Sequence, residues 1–355
     1  MDFHLNDDLF FLVEEGILYA WDYRAHKQFR LSLEAFAILV DPNRPGARSS
    51  IRDTLIECGL LLTERTAAPN HWGWDVLSRI FHFGTSRPRP APRQITPAQA
   101  SLEYVEHCAS ILSDIPPDAF ETRRGYAHIP LAPYDDGAAA SISELLESRR
   151  TSRRFAGNVI SLAHVSRILD ETFRYRVHDQ SAYSKMGMST PCFRRSAPAG
   201  GSLQACEAYT IARRVEGLSP GIYHFESDRS TLARVRDIGP SFSFGDLLGG
   251  QSFADDLSAA VIITCRLDKL MWKYSQSRSY RVALIEAGHL SQNLQLLATD
   301  SGLLTWPTAA FYDDELAALL GVDISAHEVP LLVVGLGTGI PFPFDRDLGS
   351  GFHVD

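Results

Sequence analysis

The sequence predicts an α+β protein of two unequal domains. Segments of strand and helix character alternate from residue 142 to the C-terminus, short apolar runs fill the first 83 residues, and a proline-rich stretch lies between them. In the first region Phe10-Phe11-Leu12-Val13 and Ile17-Leu18-Tyr19-Ala20-Trp21 have strand length and are parted by turn residues. Helical patterns follow over residues 32–40 and 51–58. From Pro88 to Pro92 proline stands at every second position, which removes amide donors and favours extended backbone. Residues 84–141 are therefore expected to be a linker and connecting segment. A helix over 142–150, an apolar strand over 259–265 and a long helix from about Val282 mark the larger domain, 142–355. No repeat of solenoid period is present.

A chain of 355 residues, 45% hydrophobic and 22% charged, has the balance of a globular protein with a large core. Its formal net charge is −9 and basic residues cluster at one place, which argues against nucleic acid or an anionic membrane and leaves small molecules and peptides as partners. The five cysteines form no Cys-x-x-Cys and no Cys/His ligand spacing, so no metal is expected. With reduced thiols, no basic leader and no apolar run of spanning length, the chain is expected in the cytoplasm.

The basic cluster is Arg149-Arg150-Thr151-Ser152-Arg153-Arg154-Phe155, four guanidinium groups within six residues. Arginine forks pair bidentately with phosphate, and the hydroxyls of Thr151 and Ser152 add short hydrogen bonds, so a bound phosphomonoester is one reading. A solvated helix C-terminus, where arginine complements the dipole, is the other and is favoured on this segment alone. Three later segments bear on the choice. Residues 194–203 join small residues to the pair Gly200-Gly201, which lets backbone approach a flat ring. Residues 270–281 follow the apolar strand and precede the long helix, and residues 302–311 again set small residues beside an aromatic.

In this order and spacing the segments resemble the flavin-binding segments of the nitroreductase superfamily, and more closely its SagB-type branch, the azoline dehydrogenases of peptide biosynthesis. The resemblance spans roughly residues 145–339. It rests on Arg-Arg-Thr-x-Arg-x-Phe from Arg149, Pro-x-x-Gly-x-Leu-x-x-x-Glu from Pro198 to Glu207, Lys-Tyr-x-x-x-Arg-x-Tyr-Arg from Lys273 to Arg281, and the run from Glu286 to Leu294. It implies a nitroreductase-like fold, a mixed sheet flanked by helices, with FMN at a homodimer interface. Arg149, Arg150, Thr151 and Arg153 would hold the phosphate and ribityl chain. Pro198, Ala199, Gly200 and Gly201, with Ala309 and Ala310, would face the isoalloxazine. Ala199 stands where serine is common, and Ala309-Ala310 where a glycine pair is common. Residues 16–23 resemble, more faintly, the small winged-helix-like domain that precedes the oxidase in many such proteins, which implies a recognition role for residues 1–83.

In the azoline dehydrogenases an adjacent lysine and tyrosine are taken to supply acid/base function, and Lys273-Tyr274 match that pair. Turning a thiazoline or oxazoline into an azole removes two hydrogens: a base takes a proton from one ring carbon, flavin accepts hydride from the other, and molecular oxygen reoxidises the flavin. Lysine acts as a base where burial or nearby cations lower its pKa, and Arg278 and Arg281 are candidates for that effect. Lys27, Lys185, Lys269 and Lys273 are the four lysines among 34 basic side chains, and arginine cannot give up its proton, which favours a titrating role for Lys273. Without the resemblance the pair reads as an exposed lysine beside a packed tyrosine. The implied substrate is a peptide, ribosomal or carrier-bound, with a cyclodehydratase or synthetase as possible partner. Alternatives are an NAD(P)H-dependent nitro or quinone reductase, a dehydrogenase of another peptide bond, and a flavin-bearing scaffold of a peptide-modifying complex. Glu286-x-x-His289 has di-iron ligand spacing but no second copy, so a structural or dimer-interface role is expected. Cys192 and Cys206, flanking the glycine loop, are expected to be packed thiols.

Overall fold

In a computed structural model the described residues are 2–64, 75–86, 96–111, 114–120, 126–134, 140–177, 193–323 and 327–341. Cys192, Lys185 and the alternating prolines of the expected linker lie outside them. The chain divides into two compact units, Met1–Gln94 and Ile95–Asp355.

The first unit runs β1 (His4–Leu5), β2 (Leu9–Glu14), β3 (Ile17–Asp22), β4 (Lys27–Leu31), α1 (Leu33–Val40), α2 (Ser49–Glu57), β5 (Leu61–Leu62) and α3 (Val76–Gly84). Strands β2, β3 and β4 form an antiparallel sheet in that order, and β1 pairs with β5. Glu15 and Gly16 both take left-handed φ, 50° and 78°, which closes the first hairpin in two residues with the twist of its strands. The second is closed by Asp22, whose carboxylate accepts from the amides of Arg24 and Ala25. Ser32 caps α1 by accepting from Ala35 N at 3.1 Å. Ala20, Ile38, Leu39, Leu55, Leu60 and Leu61 form the core of this unit.

The second unit continues with α4 (Pro97–Ile111), β6 (His128–Pro130), α5 (Ile142–Ser148), α6 (Leu162–Phe173), β7 (Arg176–Val177), β8 (Phe193–Arg194), β9 (Cys206–Ala212), β10 (Gly221–Glu226), β11 (Thr231–Asp237), α7 (Phe244–Leu247), β12 (Ala259–Arg266), α8 (Leu267–Lys273), α9 (Ser279–Asp300), β13 (Leu304–Thr308), α10 (Asp313–Leu320) and β14 (Glu328–Gly337). Two of these lie in the stretch read as a connector. Helix α4 starts from a capping box, with Gln99 N donating to Thr96 Oγ1 and Thr96 N to Gln99 Oε1. Strand β6 is the edge of the main sheet, beside β11.

That sheet has seven strands in the order β13-β14-β12-β9-β10-β11-β6, every pair antiparallel. Alternation along the strands splits the side chains between two cores. Ala208, Ala212, Val261 and Ile263 face Val165, Ile168, Leu169 and Phe173 of α6 and Ala287, Leu290 and Leu294 of α9. Tyr209, Ile211, Ala260 and Ile262 face Phe244, Trp306, Leu316 and Leu320. Because both faces are covered, β12 reads as one unbroken apolar run rather than an alternating one. Among the described residues no helix is long and apolar enough to cross a membrane.

A chain starting at Ile95 should unfold in one cooperative thermal transition, since its two cores are built from residues after that point. A soluble truncation without a cooperative melt would contradict this division.

Candidate functional site

The arginine segment is positioned from both ends. Ser141 and Glu144 form a capping box that fixes the start of α5, and the Arg149 amide closes its last turn on Leu145 O at 2.9 Å. The chain then runs extended beside β13. Thr151 bridges Thr305 in parallel, Ser152 N donates to Thr305 O at 2.9 Å, and the buried Ser152 hydroxyl donates to Ile340 O at 2.8 Å. Gly339 lets this segment approach the end of β14, because a Cβ there would lie 2.1 Å from Arg154 O. Arg149 is half-buried with Nη1 3.5 Å from Thr151 Oγ1, the long limit of a hydrogen bond. Arg153 is half-buried and lines a cavity of about 750 Å³ with Arg154, Phe155, Asn158, Asp256 and Gly339. Arg150 is exposed and turns back onto the carbonyls of Glu147 and Arg149 at the end of α5. The cluster thus divides: Arg150 serves the helix end, while Arg149, Thr151 and Arg153 sit on an extended segment.

The glycine loop and the Lys-Tyr pair come together. After the exposed Pro198, the half-buried residues Ala199, Gly200 and Gly201 enter a tight 3-10 turn, Gly200–Ser202. Lys273 Nζ, at the end of α8, donates to Gly201 O at 3.1 Å. A Cβ on Gly201 would lie 2.6 Å from Tyr274 Oη and 2.9 Å from Lys273 Cδ, and one on Gly200 would lie 2.2 Å from Val282 Cγ1. The double glycine was read as making room for a flat ring. The space its side chains would take is filled by Lys273, Tyr274 and the first turn of α9. Ala309 and Ala310, both exposed, follow β13, with Ala310 N donating to Thr308 Oγ1.

Beneath the loop lies a buried charge network that sequence reasoning missed. Arg195, with a fully buried side chain, donates to Phe173 O at 2.8 Å, Cys206 O and Ser227 Oγ, and lies 4.5 Å over the Tyr175 ring. Glu207 meets Lys269 at 3.3 Å, His224 at 3.7 Å and Arg195 at 4.0 Å. Glu286 on α9 accepts from Cys206 N at 3.0 Å. Burial alone would raise the Glu207 pKa, but Lys269, the His224 hydrogen bond and Arg195 bring it down to about 2. Glu286 goes the other way: burial raises it, only partly opposed by the Cys206 amide and Arg195. Burial also holds the Cys206 thiol well above the usual range, as suits a packed thiol. The available signal was Arg195 and Glu207 bracketing the loop, Glu207 inside an apolar run, and Lys269 one helical turn before Lys273.

The two groups lie toward opposite ends of α9. Gly200 packs on Val282 in its first turn, and Thr151 bridges Thr305, five residues past its C-terminus; from Val282 to Asp300 the helix rises about 27 Å. Exposed Leu284 and Ile285 lie on the intervening helix. Among the described residues no cluster of histidine, cysteine and carboxylate side chains is arranged to hold a metal.

This chain belongs to the nitroreductase family, whose model matches residues 146–338, more than half of its length. It is 25% identical over 303 residues to the trifolitoxin operon protein TfxC of Rhizobium leguminosarum bv. trifolii, covering 80% of each chain. It is 28% identical over 149 residues to the microcin B17-processing protein McbC of Escherichia coli, covering 41% of this chain and 54% of that one. Among solved structures, a candidate nitroreductase from Anabaena variabilis superposes with a TM-score of 0.50 at 20% identity, over 72% of this chain and 50% of that chain, and so shares the fold. Members of the family are flavin-type oxidoreductases that bind FMN. The donor set fits that cofactor: two half-buried guanidiniums and a hydroxyl on one segment suit a phosphate, and the half-buried Gly200 and Gly201 set side-chain-free backbone beside a lysine and a tyrosine.

Arg149→Ala and Arg153→Ala should each remove a charge-assisted contact of about 1.5–3 kcal/mol, weakening FMN roughly tenfold to a hundredfold in dialysis titrations. Full flavin retention by both would contradict the phosphate role. The lowered Glu207 pKa gives a pH test with a definite sign: its contribution is complete above the ordinary value of 4.5 and is lost as pH falls toward about 2. Glu207→Gln should therefore melt lower than wild type at pH 7, with the gap closing between pH 4.5 and 2. A gap independent of pH would contradict the assignment.

Proposed function

We propose that the chain is an FMN-dependent dehydrogenase that oxidises thiazoline or oxazoline rings of a peptide natural-product precursor to thiazole or oxazole. The observation that carries this reading is the seating of Lys273 and Tyr274 on the Gly200-Gly201 loop, where a lysine on the loop carbonyl stands beside half-buried backbone that carries no side chain. The similarity to TfxC and McbC, one from a trifolitoxin operon and one that processes microcin B17, supports a peptide as substrate.

Aromatising an azoline takes a proton from one ring carbon and a hydride from its neighbour. FMN, when bound, would supply the hydride acceptor, with molecular oxygen as the terminal oxidant. Lys273 Nζ, acting as the free amine, would receive the proton, with Gly201 O orienting it and the Tyr274 hydroxyl packed against Gly201 on the same side of the loop. Arg149, Thr151 and Arg153 would hold the FMN phosphate, and Pro198 to Gly201 with Ala309 and Ala310 would border the ring. Since the phosphate segment and the glycine loop sit toward opposite ends of α9, the reading places a complete site between two copies of the chain. The exposed Leu284 and Ile285 then lie within the dimer. The unit Met1–Gln94, whose sheet has β2 and β4 as its edge strands among the described residues, is assigned to peptide recognition.

Lys273→Ala should keep normal flavin absorbance and lose roughly 10²–10⁴-fold in turnover of an azoline peptide. Lys273→Arg keeps the cation but cannot accept a proton, and should be nearly as impaired. Tyr274→Phe should retain flavin with a smaller loss. A fully active Lys273→Arg enzyme would reduce the lysine to an electrostatic role, and rapid NADPH-driven flavin reduction without azoline oxidation would replace this reading with a reductase.

A further inference from the structure

Lys273 is one of two lysines on α8, and the second stands one turn earlier. Positions four apart share a helix face, so Lys269 and Lys273 point toward the same neighbour, the glycine loop. Lys273 donates to Gly201 O at 3.1 Å, while Lys269 donates to Gln204 O at 3.4 Å, Ala119 O at 2.9 Å and Glu207 Oε1 at 3.3 Å. An ammonium has three donors, and Lys269 has three acceptors for them. Lys269 is 4% exposed, and with Leu270 it makes up the buried residues of α8. The anchored side of this seven-residue helix is thus Lys269 and Leu270, and its far end is Lys273.

We infer that Lys269, paired with Glu207, is a positioning residue for Lys273. It fixes the rotation and height of α8 against residues 201–204, so that Lys273 Nζ rests on Gly201 rather than in solvent. The inference rests on the proposed acid/base role of Lys273 for its catalytic consequence, but not for its geometric one. A charged group at position 269 is stable there because Glu207 balances it. Removing Lys269 alone would weaken that balance, whereas removing both charges together leaves Arg195 facing Glu286.

The test uses the full chain and two readouts. Lys269→Met/Glu207→Gln removes the pair in similar volume. Lys269→Gln, in which Arg195 and His224 still face Glu207, serves where the double variant does not fold. Competitive acetylation read by mass spectrometry reports each lysine separately and needs no flavin, with exposed Lys27 as internal reference. In a variant with wild-type circular dichroism, Lys273 should acetylate at least several-fold faster, approaching Lys27. Turnover of an azoline peptide should fall about tenfold or more with KM little changed, and the loss should not add to that of Lys273→Ala. Unchanged Lys273 acetylation overturns the inference, whatever the turnover. Absence of azoline oxidation by the wild-type protein overturns the proposed reaction instead, while the acetylation result still decides the position of Lys273.

Discussion

The rest of the site depends on one buried constraint: Glu207 shared between Lys269, Arg195 and His224 at the start of β9. Isolated charges are costly to bury, and breaking such a pair by removing one partner costs about 3–5 kcal/mol, so the network holds its geometry strongly. It grips both ends of the glycine loop. Arg195 pins the entry to α6 and β9, Lys269 pins the exit at Gln204, and Glu286 ties the Cys206 amide to α9. A surface turn with two glycines would otherwise sample many conformations. Here it is held as a fixed shelf against the first turn of α9.

From that shelf the division of labour follows. Helix α9 separates two sets of groups: a loop with a lysine and a tyrosine near its start, and an extended arginine-hydroxyl segment past its end. In the proposed reading the first set serves proton transfer and the second anion binding. Under that reading neither is complete as a flavin site, and a two-fold pairing along α9 would supply each with the other. The same pairing would account for Leu284 and Ile285 remaining exposed on a helix whose opposite side is wholly packed.

Much of this was legible in the sequence because it is local. The strands of the first unit, the capped helix after Ser32, the apolar strand β12 and the start of α9 all announce themselves by period or by turn chemistry. The arginine motif, the glycine pair and Lys273-Tyr274 were legible as short patterns with mechanism. What was not legible is pairing at long range. Helix α4 and strand β6 were hidden by proline-rich surroundings, although Thr96 and Gln99 carried a capping signal. The partners of Glu207 lie 62 and 12 positions away in sequence at Lys269 and Arg195, and no periodicity links them. The packing around Gly200 and Gly201 was hidden for the same reason, since the side chains that fill the space beside them arrive from α8 and α9.

The central claim is that this flavin site takes hydride from an azoline in a peptide. It is tested most directly by mixing FMN-loaded protein with an azoline-containing peptide in the absence of oxygen, and following flavin absorbance and peptide mass together. The account predicts that the flavin bleaches in a single phase and that one azoline per flavin loses two hydrogens. Persistent yellow colour with unchanged peptide mass, under conditions where a nicotinamide does bleach the flavin, would contradict it.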